Sequence, residues 1–164
     1  MSESATNVLV SRSQFLAFMK VGATPAYELI GEGFTSFSES KNPKEYTRQY
    51  VHETGERTDV IGYSPSIAYA VDVYSNDPVI SEIVDITDNE YLGALTHRKI
   101  CSVNLWRPGT TSGTYEAYER TYAVIPDSKG DGAEALNYSG TLKCVGDKVK
   151  GTFALATKVF TADA

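Results

Sequence analysis

Apolar and polar residues alternate through much of this chain with a period of two, which places successive side chains on opposite faces of an extended strand. The clearest case is residues 64–73. Ile67, Tyr69, Val71 and Val73 fall on one face, and Ser66, Ala68, Ala70 and Asp72 fall on the other. One face is large and apolar and the other is small and polar, the pattern of a half-buried strand. Tyr27-Glu28-Leu29-Ile30 predicts a short strand ended by Gly31 and Gly33. Residues 35–42 read as a Ser-rich polar turn region closed by Pro43. Tyr46, Arg48 and Tyr50 then alternate with Thr47, Gln49 and Val51, which predicts a strand leading into a charged turn over residues 52–59. Farther on, residues 97–106 direct Cys101, Val103 and Leu105 inward, and residues 114–125 give a long strand carrying Tyr115, Tyr118 and Tyr122. Turns are expected over residues 108–113 and 126–132. Residues 133–145 and 148–160 predict two last strands, joined as a tight hairpin at Gly146-Asp147.

The helical period stands out once. Asp77 offers an N-cap and Pro78 suits the first helical position. Val79, Ile80, Ile83 and Ile86 make an apolar stripe, while Glu82, Asp85, Asp88 and Glu90 make a solvated acidic face. Gly93 is a plausible stop.

Residues 1–24 read as an N-terminal arm. Within them, Phe15-Leu16-Ala17-Phe18-Met19 fits either a core strand or an extension docked on a neighbour, and the second is the favoured reading. Glu3 stands where a secretory leader carries basic residues, and Arg12 and Gln14 interrupt the apolar stretch, so the start does not read as a signal peptide. Residues 25–164 form one domain with a long loop over residues 37–62. The expected fold is α+β and mainly β: an antiparallel sandwich or barrel-like core with one flanking α-helix.

Composition bounds this picture further. The 164 residues suit one domain, large enough to fold without a metal or disulfide staple. Against 21 Asp and Glu there are 15 Lys and Arg, a formal charge of −6, which argues against a dedicated binder of the phosphate backbone. The 11 Tyr point to β structure with extensive contact surfaces. No apolar run reaches the ~18 residues that cross a bilayer as a helix. Cys101 and Cys144 lack a CxxC partner and read as reduced thiols.

Catalytic constellations are missing. There is no Walker-type loop, dinucleotide fingerprint or HExxH. His52 and His97 do not supply four local zinc ligands, and His52 with Cys101 makes a nucleophilic set only by coincidence of fold. Asp127 to Asp131, with Gly130 and Gly132, is weakly calcium-like but reads better as a polar turn. No enzymatic role, cofactor or metal is expected. Tyr46-Thr47-Arg48-Gln49-Tyr50 resembles a base-stacking strip, yet the net charge disfavours nucleic acid and the segment fits a subunit contact better.

The stretch Thr35-Ser36-Phe37-Ser38, Lys41-Asn42-Pro43-Lys44-Glu45-Tyr46-Thr47-Arg48-Gln49-Tyr50 and Arg57-Thr58-Asp59-Val60-Ile61-Gly62-Tyr63-Ser64-Pro65 resembles the major tail tube proteins of long-tailed bacteriophages. The resemblance extends over roughly residues 27–160. It implies a β-sandwich or barrel-like subunit with one helix, hexameric rings stacked into a tube, and a lumen through which genomic DNA passes at ejection. It also implies a place in the virion tail, assembly in the host cytoplasm, and partners that include further copies, a tape-measure protein, and tail terminator and tail-tip proteins. DNA would be met only in transit, and no membrane anchor is implied. The loop matching residues 37–62 would pack on neighbouring subunits, which makes Tyr46, Arg48, Tyr50, Arg57 and Asp59 the candidate contact residues. By alternation, Glu45 and Asp72 are the candidate acids of a lumen wall that repels phosphate. The competing reading is a sugar- or surface-binding β-sandwich from a tail tip, suggested by the tyrosines.

Overall fold

A computed structural model describes residues 6–130 and 134–163. The strands, in chain order, are β1 (Phe15–Val21), β2 (Ala26–Leu29), β3 (Phe34–Ser40), β4 (Pro43–Arg48), β5 (Arg57–Tyr63) and β6 (Ser66–Asp72), then β7 (His97–Pro108), β8 (Thr114–Lys129), β9 (Asn137–Cys144), β10 (Val149–Ala154) and β11 (Val159–Ala162). The helix α1 (Pro78–Asp88) lies between β6 and β7. The fold is mainly β with one helix, as expected.

All strand pairings are antiparallel, and β8 organises the sheet. One edge of β8 pairs with β7, which continues through β1 to β2. Its other edge is shared. Residues 114–119 pair with β10, and residues 122–129 pair with β9. From there β9 leads to β6 and β3, and β10 leads to β11. The hairpin expected at Gly146-Asp147 is therefore absent. β9 and β10 run one after the other along β8, and residues 145–148 form the jog between them. The turn expected over residues 126–132 begins later, because β8 runs on through Pro126 to Lys129. A register shift between Pro126 and Ser128 accommodates the proline, which cannot donate to a regular ladder. The reading of Asp127 to Asp131 as a calcium-like segment falls partly on residues 131–133, outside the described residues. The first residues of the expected arm also lie outside them.

Two apolar clusters use opposite faces of the β1–β7–β8 ladder. On one face Ala17, Met19, Ile100, Tyr122 and Val124 pack with Ile67, Val71, Tyr138 and Leu142, under Val79, Ile80, Ile83 and Ile86 of α1. On the other, Phe18, Cys101, Val103 and Ala117 meet Tyr27 and Phe153. This explains why Phe15–Met19 is a core strand and not a docking extension. Both faces of β1 are covered, so a nearly continuous apolar run is what the site requires. The helix starts and buries its stripe as read but ends at Asp88, so Glu90 lies beyond it and Gly93 is not its stop. The Asp77 carboxylate accepts from the Val79 and Ile80 amides at 2.9 and 3.1 Å, and each buried aliphatic on the inner stripe contributes about 1.5–3 kcal/mol. Cys101 and Cys144 are free thiols, and burial followed by the nearby Glu119 pushes Cys101 up to about 12.

Candidate functional site

The region expected as a long loop carries three strands, and the expected turn over residues 35–42 is mostly β3, paired with β6. After β3 the chain leaves the main sheet and forms the ribbon β4–β5, a separate two-stranded sheet. Asn42 makes the departure with φ +47°, a left-handed conformation that Asn tolerates better than most residues. Its side-chain amide donates to the Ser64 carbonyl at 3.0 Å and to Ser66 Oγ at 3.1 Å, which pins the ribbon's base. Every residue of β4 is exposed, and so is every residue of β5 except Gly62. A two-stranded ribbon alone in water is at best marginally stable.

Register brings the candidate contact residues together. Tyr46 pairs with Asp59 and Arg48 with Arg57, so these four share one face of the ribbon. The Arg48 guanidinium lies 5.0 Å from the Tyr46 ring centre and donates to its hydroxyl. Arg57 lies 5.2 Å from the Tyr50 ring centre and is paired with Glu53. Two cations directly opposite would repel, and these aromatic and acidic neighbours offset that. The result is a preformed Tyr/Arg surface with its charges held in place. Sequence reasoning did not single out Val60, Ile61 and Tyr63, which are 53%, 56% and 62% exposed, or Val51 at the turn, which is fully exposed. Apolar residues in a strand read as core unless the absence of a covering layer is known.

The second candidate surface is the outer face of β3, β6 and β9. Alternation on β6 is as read: Ile67, Tyr69 and Val71 are buried, while Ser66, Ala68, Ala70 and Asp72 face the other way. The register adds neighbours that alternation on one strand did not reveal. Ser36, Ser38 and Ser40 flank these residues on β3, and Asn137, Ser139 and Thr141 flank them on β9. Asp72 accepts from Asn137 Nδ2 at 3.1 Å. The face is thus mostly small and polar, with the acid Asp72 at one end and the exposed cation Lys143, opposite Ser66, at the other. Glu45 is not part of it. It sits on the ribbon opposite Val60, whereas Asp72 ends β6, about 20 Å along the strand from the ribbon's base.

The remaining chemistry-bearing residues do not converge. His52 stacks on Tyr50 at the ribbon turn, His97 begins β7, and Cys101 lies in the core. Among the described residues there is no cluster of His, Cys, Asp and Glu able to hold a metal ion, and no helix is long and apolar enough to cross a membrane. Of the strand tyrosines, Tyr69 and Tyr122 are buried and Tyr115 and Tyr118 are half-buried.

This architecture occurs in solved phage-tail-like particles. The chain aligns with one from the baseplate of the anti-feeding prophage (AFP) at 11% identity and TM-score 0.51, covering 89% of this chain and 97% of that one. It aligns with one from the structure of the AFP tube-terminating cap at 14% identity and TM-score 0.53, covering 92% and 96%. A third match comes from the sheath/tube terminator of an extracellular contractile injection system, PVC, in its extended state, at 14% identity and TM-score 0.51, covering 89% and 99%. At such identities the shared property is the fold. One of these particles is a contractile injection system, so the likeness does not single out the tubes of long-tailed phages. No family model and no curated protein matches the chain.

Proposed function

We propose that this protein is a structural subunit of a phage-tail-type particle, without catalytic function, and that it forms stacked, hexameric rings around a DNA-conducting lumen. The observation that carries this reading is the β4–β5 ribbon. Its own chain leaves both faces bare, yet it presents an ordered Tyr/Arg surface and several large apolar side chains. Such a ribbon gains its stability from a neighbour. Head-to-tail packing of the ribbon on the next copy closes a ring when the rotation closes, and the same logic along the axis gives a tube. The fold shared over 89–92% of the chain with chains of tail-like particles supports a tail structural role.

On this reading Tyr46, Arg48, Tyr50, Arg57 and Asp59 make the subunit contact. The serine-rich face of β3, β6 and β9 lines the lumen, with Asp72 as its acid, and Glu45 contributes from the ribbon. Small polar side chains, with Asp72 and Lys143 balancing at opposite ends of the face, offer phosphates few groups to bind. The partners are further copies of the chain, with tape-measure, terminator and tip proteins at the particle's ends, and the place of action is the virion tail after assembly in the host cytoplasm. Deleting residues 53–58 tests the reading: a subunit that folds but no longer assembles supports it, and unchanged assembly rejects it. The exposed Tyr46, Tyr50 and Tyr63 on one ribbon favour a second reading, a tail-tip module that binds sugars. Ribbon aromatics that bind glycans in a chain that never assembles would select it.

A further inference from the structure

On the inner side of the sheet, where β9 gives way to β10 along β8, lies a cavity of about 210 Å³. Its walls come from distant parts of the chain: Glu39 and Lys41 at the end of β3, Arg120 in the middle of β8, and Lys148 in the jog. Lys41, Arg120 and Lys148 also line a second opening beside Tyr63 and Pro65 at the ribbon's base. Three cations thus face one carboxylate, in a chain whose formal charge is −6. Glu39 is turned inward because it alternates with Phe37 on β3 and pairs with Ile67, whose side chain is buried. Lys41 Nζ takes up that carboxylate at 2.5 Å.

Among the described residues neither of the other two cations is in a salt bridge, although Glu39 and Glu116 lie near enough to Lys148 to act on it and Arg120 interacts with Tyr122. Arg120 Nε is buried without a hydrogen-bond partner among the described residues. A buried donor on a charged group is costly to leave unmet. Nε belongs to the fork edge of the guanidinium, the edge that receives two oxygens of one oxyanion. The Lys148 ammonium stands 3.8 Å from the Tyr118 ring centre. Burial, followed by repulsion from Lys41, holds its pKa below the ordinary lysine value. Ser102 and Asn104 on β7 add neutral polar groups to the wall.

We propose that this cavity is an oxyanion site, in which Arg120 grips a carboxylate or phosphate group by its Nε edge and Lys148 and Lys41 close over it. Two sources supply this chemistry: a free oxyanion from solution, or an acidic side chain of a second copy. The site stands whether or not the chain builds a tube.

The test uses the full chain, labelled with ¹⁵N and titrated with inorganic phosphate against chloride at matched ionic strength. Saturable shifts of the Arg120 and Lys148 resonances are expected, with binding about tenfold weaker in Lys148→Gln, the loss of one charge-assisted contact. Lys148 lies outside the strands, so this variant retains the fold; Arg120→Gln provides the second variant. In parallel, mixed ¹⁴N and ¹⁵N protein at high concentration is treated with a carbodiimide, which joins amines to carboxylates in direct contact. Isotope-mixed peptides through Lys41 or Lys148 identify a neighbour's carboxylate as the occupant, and phosphate saturation identifies a free anion. Phosphate behaving like chloride, together with the absence of mixed peptides, overturns the proposal and leaves a cavity that holds water only. Phosphate binding equally to wild type and both variants overturns it as well.

Discussion

The rings of Phe18 and Phe153 lie 4.5 Å apart between centres, although β7 and β8 separate their strands in the sheet. Tyr27 meets Phe153 edge-on at 5.8 Å. The sheet therefore curls until its first and tenth strands touch, and Phe153, fully buried, closes the curl. Phe153→Ala is expected to cost about 3–5 kcal/mol in urea unfolding, the range for emptying an aromatic site in a core. A loss below about 1 kcal/mol would mean the curl closes by other contacts.

The Tyr69 hydroxyl is buried without a partner among the described residues, and burial followed by Asp127 pushes its pKa up to about 12. The aromatic body fills the core under α1, and the hydroxyl only adds an unmet polar atom. Tyr69→Phe is expected to leave stability unchanged or raise it by about 1 kcal/mol. Destabilisation beyond about 1 kcal/mol in the same unfolding assay would show that the hydroxyl has a partner after all.

Asp88 ties the end of α1 to the sheet. Lys129 Nζ donates to it at 2.9 Å, and the Tyr138 hydroxyl reaches both its oxygens at 3.1 and 3.2 Å. The hydrogen bond from Lys129, with help from Tyr138, holds this carboxyl below the ordinary aspartate value. A carboxyl depressed by folding adds stability that is complete above its unfolded pKa, about 3.9, and is lost as pH falls through the folded value. The stability gap between wild type and Asp88→Asn is thus expected to stay level near neutrality and to shrink below about pH 4. A gap of constant size down to about pH 2 would show that Asp88 is not held in this way.

How much of this was legible depends on the range of the interaction. The α1 signals are local: Asp77, Pro78 and the 79/80/83/86 stripe lie within ten residues and meet no competing pattern. The two faces of β6 were equally readable. The Gly146-Asp147 dipeptide misled, because what decides the pairing of residues 137–154 is β8, a strand made earlier in the chain and long enough for two partners. Phe15-Leu16-Ala17-Phe18-Met19 was ambiguous because a strand buried on both faces and a sticky extension look alike. Tyr46, Arg48, Arg57 and Asp59 came together as a face because a period of two survives any turn that keeps the register. The oxyanion cavity was beyond reach, since Glu39, Arg120 and Lys148 converge only through the pairing of β3 with β6 and the β9–β10 jog along β8.

The lumen assignment is tested by charge. If the outer face of β3, β6 and β9 conducts DNA, Asp72→Lys particles assemble normally and eject their genomes more slowly, with the delay growing as salt is lowered, because screening weakens phosphate attraction. Ejection at the wild-type rate from particles carrying both Asp72→Lys and Glu45→Lys would remove these two residues from any lumen role.

The most direct test of the account is electron microscopy of the purified protein, concentrated and incubated for days, beside the chain lacking residues 53–58. The account predicts stacked rings or hollow tubes of uniform width from the intact chain, and only single folded subunits from the deletion. Tubes from both chains, or single subunits from the intact chain even when seeded with tail tips, would contradict it.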